Sequence, residues 1–149
     1  PGLEDQSIAE VIDLGQWGRR NRAGGLQAFY YHNWYRIYTA EVLAKEPELA
    51  SFYGGRRHPE VTAHRNQVCL SNPRAVDVAV DYYIKYFNEN PATDYASFSA
   101  NDGRRYCECD GCKAMGSNEG ERVLIAASKI LEQLQAVHPD KGLCFLVPL

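Results

Sequence analysis

A chain of 149 residues is long enough for one domain with a sizeable core. Its 45% hydrophobic and 23% charged content is ordinary for a globular protein, and its net charge of -3 gives no long-range attraction to nucleic acid or anionic lipid. No segment approaches the roughly 18 apolar residues that a membrane span requires.

In chain order, Leu3, Ile8, Val11, Ile12 and Leu14 follow a helical spacing that stops at Gly15, with Glu4 and Asp5 in the first turn, where carboxylates suit the helix dipole. A basic run, Arg19-Arg20-Asn21-Arg22, reads as solvated surface, as do Arg56-Arg57 and Arg104-Arg105. After Gly24-Gly25, the aromatic run from Leu26 to Tyr31 predicts a strand ending at His32-Asn33-Trp34. Ala40 to Glu46 predicts a short helix stopped at Pro47. Val68-Cys69-Leu70 predicts a short buried strand running into Ser71-Asn72-Pro73, where Asn72 is a good N-cap and Pro73 fits the first helical position.

Val76, Val80, Tyr83 and Phe87 then mark one face of a helix, closed between Asn88 and Pro91. Tyr95 to Ser99 predicts another strand, followed by a long loop from Ala100 to about Asn118. Val123, Ala127, Ile130, Leu131, Leu134 and Val137 mark a last helix before Pro139, and a final strand begins near Leu143. Pro1 in place of Met, and an apolar run up to Leu149, read as a piece of a larger protein.

Alternating strands and helices favour a parallel sheet. No Gly-rich phosphate loop follows any strand, which weakens a nucleotide-binding reading. Either a doubly wound sheet or a (β/α)8 barrel satisfies this α/β pattern; a full barrel needs roughly 250 residues, so residues 1–149, with about four βα units, would form one fragment of such a barrel. Ligands meet such sheets at the carboxyl ends of the strands. His32-Asn33-Trp34, Ser71-Asn72 and Asn101-Asp102 qualify by position.

Each has a plain alternative. Asn101-Asp102-Gly103 is a common turn sequence, yet a carboxylate there can also act as acid or base, beside an amide able to bond a sugar hydroxyl. His32 can bind substrate or shuttle a proton, or simply bond nearby backbone. Trp34 offers a face for stacking on a sugar ring, or packs the rim. Nucleic-acid binding finds no motif to support it.

Five cysteines fit poorly with a purely disulfide framework. Cys107, Cys109 and Cys112 lie close enough for a tight loop, turned at Gly111, to converge on one tetrahedral ion. Cys69 is the leading candidate for a fourth ligand, with His58 and His64 as alternatives. A disulfide from Cys112 to one neighbour, or free thiols, remain open.

The segments Val68 to Pro73, Ser97 to Gly103 and Tyr106 to Cys112 occur in that order, preceded by His32, Tyr35-Arg36 and Lys45-Glu46-Pro47-Glu48. Together they resemble the bacterial family catalogued as domain of unknown function 4838, related to the glycoside hydrolase family 163 enzymes. The likeness extends over about residues 17 to 149. It implies a (β/α)8 catalytic domain within a large, exported, multidomain protein, with relatives similar to endo-β-N-acetylglucosaminidases acting on complex N-glycans.

The resulting expectation is part of a glycoside hydrolase acting on N-acetylhexosamine-containing glycans, with a substrate-assisted mechanism among its options. Asp102 would be its acid or orienting carboxylate, and Asn101, His32 and Trp34 its substrate contacts. No cofactor is expected for catalysis; a structural zinc at Cys69, Cys107, Cys109 and Cys112 is. The expected partners are a glycan and the remaining domains of the parent chain, in an extracytoplasmic setting. A non-catalytic carbohydrate-binding barrel and a zinc-stabilised interaction domain are the competing readings.

Overall fold

The computed structural model describes residue 28, residues 31–60 and residues 67–146. The expected helix over 3–14, the basic run at 19–22, most of the strand over 26–31 and the alternative ligand His64 lie outside the described residues.

Two long amphipathic helices form the frame. The first, α3 (Pro73–Glu89), turns Ala75, Val76, Ala79, Val80, Tyr83 and Phe87 inward. The second, α5 (Glu119–Gln135), turns in Val123, Ala126, Ala127, Ile130 and Leu134. The two pack on each other and on strands β3 (Tyr95–Ser97) and β4 (Gly142–Cys144). Both starts are capped as their sequences dictate. Arg74 N donates to the Asn72 side chain at 3.0 Å, with Pro73 in the first turn. Glu121 N donates to Asn118 Oδ1 at 2.9 Å, while Ser117 N donates back to the Glu121 carboxylate at 2.6 Å.

β3 and β4 run parallel, with Tyr95 opposite Gly142 and Ser97 opposite Cys144. Ala28 makes a parallel bridge to Tyr95 on the other side of β3. Among the described residues the sheet therefore has three parallel positions, with α3 before β3 and α5 between β3 and β4. This is α/β structure, and no closed barrel is present among these residues.

The expected strand at Val68-Cys69-Leu70 is corrected. Val68 makes only an isolated antiparallel bridge to Ala50 and does not join the parallel sheet. An apolar triplet looks the same whether it fills a sheet or a buried loop, and here burial beneath the connection at 32–72 decides.

That connection has more order than its sequence suggests. It holds helices α1 (Trp34–Ile37) and α2 (Ala40–Lys45) and a 3-10 turn at Pro47–Leu49. An antiparallel hairpin follows, β1 (Phe52–Tyr53) with β2 (Arg56–Arg57). The hairpin turns through Gly54 and Gly55, whose φ angles of 56° and 84° suit a two-residue turn. The expected loop after β3 also contains a short helix, α4 (Asp110–Met115).

Side chains complete the junction between the sheet and this connection. Asn33, fully buried, donates from Nδ2 to the Ser97 carbonyl and to Tyr83 Oη, and accepts from Ser99 N at 2.9 Å. Tyr83 in turn donates to the Ser97 carbonyl. Its burial pushes the phenol well above its ordinary pKa.

Candidate metal centre and strand-end site

Cys69 comes from the connection before α3, whereas Cys107, Cys109 and Cys112 come from the connection after β3. The fold brings these four sulfurs together, all within 4.8 Å of one another. Cys69 Sγ lies 3.6 Å from Cys109 Sγ and 3.8 Å from Cys112 Sγ. A tetrahedron with metal–sulfur bonds near 2.3 Å has sulfur–sulfur edges of about 3.8 Å, so the donor set matches a tetrathiolate site. All five cysteines are free thiols, and the separations in the cluster are far beyond a disulfide bond length. Of the candidate fourth ligands among the described residues, Cys69 is the one brought in. His58 instead stacks on Tyr53 with ring centroids 3.7 Å apart.

Surrounding groups are arranged for sulfur that carries negative charge. Phe52 N donates to Cys107 Sγ at 3.3 Å, and Cys112 N donates to Cys109 Sγ at 3.5 Å. Ser71 Oγ stands among three sulfurs, 3.4 Å from Cys69, 3.5 Å from Cys109 and 3.3 Å from Cys112. The Cys107 and Cys112 thiols donating to Cys69 hold that sulfur well below its ordinary range, while Cys107 is driven well above its own by bonding to Cys112 and Cys69. The protons are thus shared within one coupled set. A divalent ion bound there would replace them.

Ser71 and Phe52 could not be recognised from spacing. Ser71 was visible only as a polar residue after an apolar triplet, and Phe52 not at all.

Gly111 has a different role from the expected one. It lies inside α4, and a Cβ there would stand 2.7 Å from Ser71 Oγ and 3.1 Å from Ser71 Cβ. Close packing against the cluster, not a tight turn, requires glycine.

The second group of predicted residues gathers at the carboxyl end of β3. Asp102 is exposed, at the rim of a cavity of about 300 Å³ lined by Asp102, Gly103, Arg104 and Arg105. His32 is also exposed, and its Nδ1 donates to the Ala100 carbonyl, which brings it to the same strand end. Asn101 is 4% exposed, and its side-chain oxygen accepts from Tyr35 N at 3.0 Å. That oxygen thus anchors the start of α1 to the strand end. Trp34 is corrected. It is 0% exposed and packs against Tyr38 and Phe98, leaving no ring face for a saccharide.

Gln67 was missed entirely. It is fully buried, and its Nε2 donates to the carbonyls of Asn101 at 2.7 Å and Gly103 at 3.4 Å, one on each side of Asp102. A lone glutamine before an apolar triplet carries no sequence signal for this clamp.

Asn101 and Asp102 share the connection after β3 with Cys107, Cys109 and Cys112. Their juxtaposition accords with the order of motifs in the sequence. No curated protein and no solved structure matches the chain. A family model does, over residues 10–146, and the chain therefore belongs to the family described as Domain of unknown function (DUF4838).

Proposed function

We propose that the chain is part of the (β/α)8 catalytic domain of a glycoside hydrolase acting on N-acetylhexosamine-containing glycans, with a structural zinc at Cys69, Cys107, Cys109 and Cys112. The observation that carries the reading is the position of Asp102. It is a solvent-facing carboxylate just beyond a parallel strand, beside a cavity, with its flanking carbonyls held by Gln67. Strand ends of this kind are where parallel α/β architectures place their chemistry. An extracytoplasmic setting is proposed with it, since complex glycans are met there.

In this reading Asp102 orients the substrate's acetamido group or protonates the leaving oxygen, and a second carboxylate completes the pair. His32, fixed through Nδ1, presents its other ring nitrogen to a hydroxyl or to a proton in transit. The zinc takes no part in bond breaking. Four protein thiolates complete its shell, as in closed structural sites, and its contribution is to hold the connection that bears Asp102 against the one that bears Gln67.

The test is Asp102→Asn in the full-length protein, assayed for product release from a panel of N-glycans. Turnover is expected to fall by about 10²- to 10⁴-fold with unchanged folding. Full activity in the variant would remove Asp102 from the mechanism. The cysteine cluster itself favours a second reading, a zinc-stabilised interaction domain with no sugar site. Stoichiometric zinc together with no glycan binding or release would select it.

A further inference from the structure

The β1–β2 hairpin is fastened to the cysteine cluster from outside. Phe52 packs against the cluster and donates its N–H to Cys107, while Glu108 N donates to the Phe52 carbonyl at 2.6 Å. Directly across the hairpin from Phe52 is Arg57. Its Nη1 donates to the Ala50 carbonyl at 2.7 Å, which fixes the half-buried guanidinium on the inner side of the hairpin. The carbonyl it bonds lies next to the chain that bears Cys69: Cys69 N donates to the Leu49 carbonyl at 2.8 Å and Ala50 bridges Val68, so the guanidinium is set beside the cluster.

A divalent ion with four thiolates carries two net negative charges. Isolating that charge from water beneath Phe52 and the loop backbone is costly unless opposite charge lies close by. The two other arginines near the hairpin are engaged elsewhere. Arg56 on the same strand pairs outward with Glu60 at 2.6 Å, and Arg105 stacks over the Tyr53 ring with its guanidinium carbon 5.6 Å from the centroid. A guanidinium supplies several N–H donors in a planar fork, so one can bond Ala50 while others meet sulfur.

We infer that Arg57 is the outer-shell cation of the metal centre, donating to the Cys69 thiolate and offsetting the charge of the zinc tetrathiolate, so that the hairpin sets how tightly the metal is held. The inference rests on the zinc reading of the cluster. Through this contact, three separate stretches of chain take part in one site: the hairpin, the turn at Cys69 and the loop from Cys107 to Cys112.

The experiment uses the 149-residue chain loaded with zinc, and separately with cobalt(II) as a spectroscopic substitute. In competition with a chromogenic chelator, Arg57→Met should bind zinc about 10- to 100-fold more weakly, the usual consequence of losing an outer-shell partner. The sulfur-to-cobalt charge-transfer band should move to lower energy, because a sulfur without its hydrogen bond gives up electron density more readily. A role limited to fastening the hairpin would not shift that band. Arg57→Gln, which keeps an N–H donor for Ala50 but no charge, should still lose about tenfold and covers the case in which the Met variant folds poorly. Lys should recover part of the affinity. Zinc affinity within twofold of the unaltered chain in either neutral variant, with the band unmoved, would overturn the assignment. Failure of the unaltered chain to bind zinc at all would overturn the metal reading itself, and this inference with it.

Discussion

At the scale of single residues, the least conspicuous side chain has the clearest consequence. Gln67 donates to the carbonyls on both sides of Asp102. Replacing it with Leu, which fills similar volume, leaves the carbonyl of the buried Asn101 without its donor from position 67. An unmet buried polar group costs about 1–3 kcal/mol, and Gln67→Leu should lose that much stability in urea unfolding. The loss should appear as faster proteolytic nicking around Arg104-Arg105. Asn33 works in the same way, its amide bonding backbone on β3 and just beyond it. Neither amide could be read from sequence, because its significance depends on which carbonyls the fold brings opposite. Asp102 and His32 were legible because each follows a predicted strand. Trp34 followed the same strand as His32 and was misjudged. Two positions along the chain turn a side chain from the rim into the core, where Phe98 meets it with ring centroids 5.4 Å apart.

At the scale of elements, α4 shows how a short helix can be held in place by its contacts. Six residues are too few for a helix to persist by propensity. Its start is capped by Cys109, whose sulfur accepts from Cys112 N, and its first turn lies against Ser71. Gly111→Ala would improve helix propensity and is nevertheless expected to destabilise by about 1–3 kcal/mol, since its methyl group would drive Ser71 away from the sulfurs. In a Ser71→Ala background the penalty should shrink, because the nearest obstructing atom is gone. A double-mutant cycle on thermal unfolding with metal bound measures that coupling. By contrast, α3 and α5 were nearly complete in the sequence. Their apolar spacing, the Asn72-Pro73 start and the stop near Asn90 each act within a few residues. Short irregular elements such as α1, α4 and the β1–β2 hairpin have too little length for periodicity to show, and long-range packing decides them.

At the scale of the molecule, the cysteine cluster joins the two connections that leave the carboxyl side of the sheet, residues 32–72 and 98–118. The parallel pair and the two long helices share one hydrophobic core with Trp34, Tyr38, Leu43 and Leu49 of the first connection, whereas the cysteine cluster forms a separate buried group. Removing metal from the loaded protein with a chelator should therefore open the β1–β2 hairpin and the loop over 103–112 to protease and exchange, and leave α3, α5 and the core-packed α1 more protected. Acidification should do the same, because thiolates must be deprotonated to bind metal and affinity falls as pH drops. Hydrogen exchange read by peptide mass spectrometry, with and without chelator, checks this. Equal protection throughout the chain in both states would show that the cluster does not hold the connections.

Local chemistry settled much of this protein before any coordinates. The periodic helices, their caps, the parallel α/β pattern and the three-cysteine loop each depend on residues near one another along the chain. Tertiary structure alone brought Cys69 to the three-cysteine loop while His58 stacked on Tyr53, placed Val68 to Leu70 outside the sheet, buried Trp34 and aimed Gln67 and Arg57. The physical reason is common to these cases: an apolar triplet, an amide or a guanidinium can serve several environments at similar cost, and only contacts made across tens of residues distinguish between them.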